Sequence, residues 1–567
     1  MKIKGIGASK GVAIAKAFKI EEVHVKYEQQ TQNKEEALKA YEKAKEVVLA
    51  GIAKTKALAA DPEHAAIFEA HANFVTDEYA NSSIVDFISN QGYTAEFAIE
   101  TFYKQFAEMF AAMDDEYMRE RVADVNDVSK KLIFAVQGVV ETDLGAINEE
   151  VVIIAEDLSP SQTVQLNKQF VKGFVTNIGG TTSHTAIMAR SLGIPSVVGT
   201  NSIMEKAQSG DLIALDGSKG EVIVNPDSTQ LEEYKKAQTA YLEYLERLSA
   251  LKGKASVSKD GHKIELAANI GTPKDLASVV ENDAEAIGLF RSEFLYMDNE
   301  NWPTEEEQFA AYKEVAQGMK GKKVVIRTLD IGGDKTLKYF KFPYELNPFL
   351  GYRAIRFCLQ NKDIFKTQLK ALVRASEFGK IGIMFPMITN VQEFLDAKKV
   401  FEEAYEEVVK QYPNVAPKNE IEVGLMMETP AAAVLSDQFC KYADFVSIGT
   451  NDLIQYSMAA DRMNENISYL YQPLNPSILR LIKMVIDGAH KHGKWAGMCG
   501  EMAGDKEAFP ILLGLGLDEF SMSASSVLAS RELVQKLSYA EMKELAHKAL
   551  ELDTEEQVKE LFKNVTK

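Results

Sequence analysis

The sequence predicts a multidomain α/β protein whose C-terminal half is a (β/α)8 TIM-like barrel, and three observations carry that prediction. From about Ser256 onward, eight strand-like apolar runs alternate with helical or loop segments over roughly 300 residues, the rhythm of a closed parallel barrel. A second β-rich stretch runs from Val151 to about Asp227. Between it and a short β-type start lies a long segment rich in Ala, Glu and Lys with apolar residues at helical spacing. A chain of 567 residues has room for about three or four domains of roughly 100–200 residues each.

Taken in order, KIKGIG and GVAIAKAFKI alternate and are punctuated by Gly5, Gly7 and Gly11, which reads as strands that pair with later ones. Segments 1–20 and 145–227 therefore form one α/β domain. Residues 21–144 are a helical insertion, with Asp61-Pro62, Gly92 and the Met113-Asp114-Asp115 junction as breaks. Short strands VVIIAEDL, GFVTNIGG, PSVVGT, GDLIALDG and EVIVNP follow, and the helix TAIMARSLG sits among them, stopped by Gly193 with Pro195 beyond. Residues 228–255 are polar and read as a solvated connecting helix. Residues 256–567 hold the eight runs KIELAANI, EAIGLFRSE, VVIRTLD, IGIMFPM, IEVGLMMET, DFVSIGTND, KWAGMCGE and DEFSMSA.

Composition excludes several functions. The formal charge is −19, which disfavours nucleic-acid binding because backbone affinity comes from clustered Lys and Arg. Residues 21–144 carry 12 Lys or Arg against 24 Asp or Glu, so most of the acidity lies on the helical insertion. Cys358, Cys440 and Cys499 are too widely spaced for a disulfide framework or a zinc site. No run of about 18 apolar residues is long enough to span a bilayer, so no membrane insertion and a cytoplasmic setting are expected. GIGASKGVAIA imitates a nucleotide-binding glycine loop, but a helical region follows it in place of a βαβ unit.

Barrel chemistry sits at the C-terminal ends of the strands. Arg291 ends the second run, Arg327 lies near the end of the third, Glu428 ends the fifth, Asn451 and Asp452 the sixth, and Cys499 the seventh; Arg353 and Arg462 follow runs three and six. A lone arginine there is commonly a surface ion pair. Four together match the oxygens of a small anion carrying phosphate and carboxylate. Glu428 and Asp452 suit Mg²⁺, which takes one or two carboxylates and completes its shell with water and substrate oxygens. Cys499, between Gly497 and Gly500, can donate a proton, since a thiol is mostly protonated at neutral pH. In GGTTSHTAIMARSLGIP, His184 falls in the first turn of a helix whose free N–H groups would stabilise a phosphate on the imidazole; a structural histidine near a cap is the other reading.

These motifs, with GLFRSEFLYMD, RTLDIGGDK, NPFLGYRAIR, ETPAAA, SIGTNDLIQY and GMCGEMAGD, resemble enzyme I of the phosphoenolpyruvate:sugar phosphotransferase system from end to end and in the same order. The resemblance implies a swivelling phosphohistidine domain carrying His184 and a phosphoenolpyruvate site of Arg291, Arg327, Lys335, Arg353, Asn451, Asp452 and Arg462. It also implies Mg²⁺ on Glu428 and Asp452, and Cys499 as the proton donor that yields pyruvate. It further implies that the helical insertion docks the phosphocarrier HPr and that the barrel forms a homodimer. Thr181 departs from the Arg or Pro common after the paired glycines, which puts phosphohistidine stability in question. A pyruvate phosphate dikinase or phosphoenolpyruvate synthase would need a large extra ATP-binding domain, and a non-catalytic phosphoenolpyruvate sensor would have no use for Cys499.

Overall fold

Three short strands open the chain, β1 (Lys2–Lys4), β2 (Ile6–Ser9) and β3 (Val12–Lys19). They are joined in one sheet by β4 (Val151–Ala155), β5 (Val171–Thr176), β6 (Ser196–Val198), β7 (Leu212–Asp216) and β8 (Glu221–Val224). The computed structural model describes residues 1–21, 25–58, 62–111, 121–139, 144–159, 162–163, 166–180, 183–297, 299–333, 335–462 and 464–565. The chain divides into two units, Met1–Leu245 and Glu246–Lys567.

The strand order of the first sheet is β1-β8-β7-β3-β4-β5-β6-β2. Strands β3 to β6 run parallel, while β1, β8, β7 and β2 pair antiparallel with their neighbours. All five residues of β4 are buried. Val152 and Ile154 pack in one apolar cluster, and Val151, Ile153 and Ala155 in another, the period-two division of a strand covered on both faces. A single residue, Gly5, separates β1 from β2, although the two lie at opposite ends of the strand order; its N–H donates to the Gly220 carbonyl at 2.9 Å. The glycines of the opening segment serve close backbone approach: a Cβ on Gly7 would fall 2.1 Å from the Gly217 carbonyl oxygen, and one on Gly217 1.9 Å from that of Ser9. The nucleotide-loop look of GIGASKG is thus a packing requirement of β2.

The insertion contains helices Lys34–Leu58, Pro62–Thr76, Glu78–Gln91, Ala95–Ala111 and Val122–Gln137 around a core that includes Tyr41, Phe68, Ile84, Ile99, Val125 and Leu132. Gly92 closes its helix at φ 72°. Asp77 makes a break that the periodicity did not mark, its carboxylate capping the next helix by accepting from Ala80 N–H at 2.7 Å. Asp61 and the Met113-Asp114-Asp115 junction lie outside the described residues.

In the second unit, strands β9 (Glu265–Ile270), β10 (Ala286–Arg291), β11 (Val324–Arg327), β12 (Ile381–Phe385), β13 (Glu422–Met427), β14 (Phe445–Ile448), β15 (Trp495–Met498) and β16 (Glu519–Met522) close a parallel barrel in sequence order. Each coincides with one of the eight apolar runs. The N-terminal end of the barrel is floored by charge and aromatic rings. Lys323 Nζ lies 3.0 Å from Glu265, 2.9 Å from the buried Glu519 and 3.7 Å from the centre of the Trp495 ring, which stacks on Phe445 at 4.5 Å. The opposite end, where the strands finish, is left to function.

Candidate active site

Ion pairs converge at the C-terminal ends of β10, β11, β13 and β14. Arg291 and Arg327 are register partners across β10 and β11, so two guanidinium groups leave the barrel side by side. Arg327 is buried and its Nη2 pairs with Glu293 and, at 3.2 Å, with Asp330. Lys335 Nζ reaches Glu293 at 2.9 Å and Asp330 at 3.0 Å, and Arg353 Nη2 reaches Asp330 at 3.0 Å and Asp452 at 3.5 Å. One aspartate therefore bridges three cations. Burial would raise Asp330, but Lys335, Arg327 and Arg353 together hold it well below the usual carboxylate range; Glu293 is lowered against burial by Arg327 and Lys335.

The cluster keeps donors in reserve. Among the described residues, Arg327 Nε and Arg353 Nε are buried with no hydrogen-bond acceptor, an expensive state for a guanidinium N–H. Arg291 is exposed. The charge of this cluster suits an anion.

Beside them, Glu428 is 1% exposed, and its Oε1 accepts from Met387 N–H at 2.6 Å. Burial, then Asp452 and Asp330, push its carboxyl up to about 8. This is a carboxylate pair short of positive charge, and a hard cation with oxygen preference fits it. Among the described residues no group of three or more His, Cys, Asp or Glu is arranged to hold a metal alone. Cys499 follows β15, packs with Leu289, Met384 and Met426, and is pushed up to about 11 by burial, against the pull of Ser447 and Arg327. Cys358 and Cys440 are also buried, as small apolar side chains are.

Asn451 and Asp452 lie in the first turn of the helix Thr450–Met458. Asn451 Nδ2 reaches Glu501 Oε1 at 3.4 Å. Arg462 N–H donates to Gln455 at 3.1 Å, and its charge is felt by Tyr471, as is that of Asp452. Sequence reasoning missed Glu293 and Asp330. The signal was available as acidic residues two positions after Arg291 and three after Arg327, but a carboxylate beside an arginine in sequence says nothing of which cations it will bridge.

In the first unit, His184 begins the helix His184–Leu192, whose N-cap Ser183 accepts from Ala186 N–H at 3.3 Å and whose C-cap Gly193 has φ 63°. The cap forms because Ser183 is extended (ψ 150°), leaving its hydroxyl free to meet the first turn. Thr185 Oγ1 donates to Asp157 at 2.8 Å and Leu158 O at 3.2 Å, anchoring the helix start to the loop after β4. The His184 side chain and Thr181 lie outside the described residues.

A C-terminal barrel with an arginine-rich mouth and an α/β unit with a capped histidine helix are together the architecture of a phosphotransferase. Three families agree along the chain: the N-terminal domain of PEP-utilising enzymes matches residues 4–121, their mobile domain 147–220 and their PEP-binding domain 246–539. Proteins named phosphoenolpyruvate-protein phosphotransferase are 52% identical in Listeria monocytogenes over 100% of this chain and 99% of the relative. The Bacillus subtilis protein of that name is also 52% identical, over 99% and 100%. The chain belongs to the phosphoenolpyruvate-protein phosphotransferase family. An NMR solution structure of Enzyme I is 40% identical over 42% of this chain and 99% of that one, with a TM-score of 0.39.

Proposed function

We propose that this chain phosphorylates itself on His184 from phosphoenolpyruvate, releases pyruvate, and passes the phosphoryl group to a histidine of HPr. The observation that carries the reading is the buried cation cluster at the barrel mouth with unfilled guanidinium donors. Phosphate and carboxylate are held by Arg291, Arg327, Lys335, Arg353, Asn451, Asp452 and Arg462, and Glu428 with Asp452 would hold Mg²⁺, which would supply neutralisation of charge on the phosphoryl oxygens. His184 attacks phosphorus as neutral imidazole, the helix N-terminus favouring the phosphate it acquires. Cys499 then protonates the enolate carbon.

In this scheme segments 1–20 and 145–227 are the phosphohistidine domain, 228–255 the link, and 256–567 the substrate-binding and dimerisation domain. Residues 21–144 dock HPr. The surplus of acidic side chains there, 24 against 12 basic, together with the exposed Tyr79, suits a basic partner. Exposed Tyr344, Leu346, Leu350 and Tyr469 on loops of the barrel unit support a homodimer. No described helix is long and apolar enough to cross a membrane, and we assign the chain to the cytoplasm.

Incubation with ³²P-phosphoenolpyruvate, Mg²⁺ and purified HPr tests the whole sequence. Acid-labile label should appear on this chain and then on HPr, and His184→Ala should abolish it. Label that survives the substitution removes His184 from the scheme; label from ATP would favour the dikinase-like reading.

A further inference from the structure

The peptide that carries Cys499 is held by a side chain that belongs to none of the motifs. Asn269, half-buried near the end of β9, donates through Nδ2 to the Cys499 carbonyl at 3.0 Å and the Ser521 carbonyl at 3.3 Å, while its Oδ1 accepts from Ser521 Oγ at 2.6 Å. Both amide hydrogens and the amide oxygen are thus engaged, and the two carbonyls, which can only accept, fix which end of the amide is which. On the other side, Cys499 N–H donates to Ile448 O at 3.2 Å. The next residue, Gly500, sits so close to the chain after β14 that a Cβ would fall 1.8 Å from Thr450 Oγ1. The Cys499 peptide is therefore clamped by β9 and β14 while its thiol packs among interior side chains of the barrel. Backbone ladders already join β15 to β16 and β16 to β9, so barrel closure does not require the amide.

We propose that Asn269 is a positioning residue for proton delivery: by holding the Cys499 carbonyl it fixes the face of the enolate from which the thiol approaches. The proposal rests on Cys499 as proton donor. In that step the S–H bond breaks and a C–H bond forms at carbon 3. The enolate electron pair takes the proton, the enolate oxygen becomes the keto oxygen of pyruvate, and the thiolate left behind is reprotonated by water. A thiol held in one orientation delivers to one face; a thiol free to swing, or an enolate released to solvent, does not.

The test uses the full chain with Mg²⁺ and phosphoenolpyruvate stereospecifically deuterated at carbon 3, turned over in tritiated water, with the methyl chirality of the trapped pyruvate as readout. Wild type should give one methyl configuration. Asn269→Ala should move the product toward an equal mixture and slow pyruvate formation by about 10- to 100-fold, the scale of a displaced catalytic group, while His184 labelling and the phosphoenolpyruvate KM stay within about 2-fold of wild type. Ser521→Ala, which frees the amide without removing it, should shift chirality in the same direction by less. Full chirality and wild-type rate in both variants would overturn the proposal. So would loss of labelling in Asn269→Ala together with unchanged chirality in Ser521→Ala, which would assign the amide to barrel architecture alone. A mixed product from wild type, or undiminished chirality in Cys499→Ala, would instead refute the proton-donor reading on which the proposal depends.

Discussion

Asp330→Asn should destabilise the barrel far more than the loss of an ordinary ion pair. The substitution keeps the size and one acceptor oxygen of a side chain that is 1% exposed, but removes the charge facing Arg327 at 3.2 Å, Lys335 at 3.0 Å and Arg353 at 3.0 Å. Breaking a buried pair by removing one partner costs about 3–5 kcal/mol because the other charge is left uncompensated. Three partners place this site toward the upper end, even with Glu293 still balancing part of the charge. The exposed pair Lys39 with Glu35 gives the contrast, since Glu35→Gln should cost only about 0.3–0.5 kcal/mol. Native-state hydrogen exchange of the β11 and β12 amides reports the barrel specifically, where a bulk unfolding curve of a two-unit chain would mix transitions. The pH dependence gives a second arm. The folded Asp330 carboxyl titrates well below its unfolded range, so its contribution is present above about pH 4 and lost as pH falls through the lower folded value. Wild type should lose barrel protection in that acid window, and the variant should show less of the loss. A penalty under about 1 kcal/mol with an unchanged acid profile would refute the view that one carboxylate holds the three cations in place.

Other outcomes follow from the same geometry. With its thiol pushed up to about 11, Cys499 stays protonated as pH rises through the ordinary thiol range, so single-turnover pyruvate formation should not fall near pH ~8.5; a decline centred there contradicts the buried donor. Cys499→Ala should cut that step by about 10²- to 10⁴-fold, the scale of a lost general acid, with the phosphoenolpyruvate affinity measured by calorimetry little changed. Gly500→Ala places a methyl group 1.8 Å from Thr450 Oγ1 and should cost about 1–3 kcal/mol of barrel stability by native-state hydrogen exchange of the β14 and β15 amides; a neutral result would mean the β14 and β15 loops part easily. Because residues 21–144 hold 24 acidic against 12 basic side chains, HPr affinity should weaken between low and physiological salt, and salt-independent binding would refute charge-steered docking.

The barrel was legible because strands buried on both faces must be written as short apolar runs, and all eight, from KIELAANI to DEFSMSA, fall on observed strands. The ends of those strands were legible for the same reason: a charged residue that closes a buried run has one direction to go. What sequence could not convey was pairing. Glu293 and Asp330 look like ordinary acids beside Arg291 and Arg327, and only the parallel register brings them to shared cations. Asn269 was hidden differently, since two of its three partners are backbone carbonyls, which every residue possesses. The break at Asp77 was missed because a cap leaves apolar periodicity nearly continuous through it. The histidine helix was clearer: Ser183, His184 and Gly193 announce its start and stop through capping chemistry alone.

The strand order of the first unit has a practical consequence. Its sequence-adjacent strands β1 and β2 stand at the two margins of the sheet with Gly5 between them, and the Met1 ammonium donates to the Val224 carbonyl at 2.7 Å. The chain's first nine residues therefore act as a clasp, because a one-residue link between the two end strands requires the sheet to curl until its margins lie close together. Substituting Gly5, where a Cβ would fall 2.6 Å from the Val198 carbonyl oxygen, would therefore strain both margins at once.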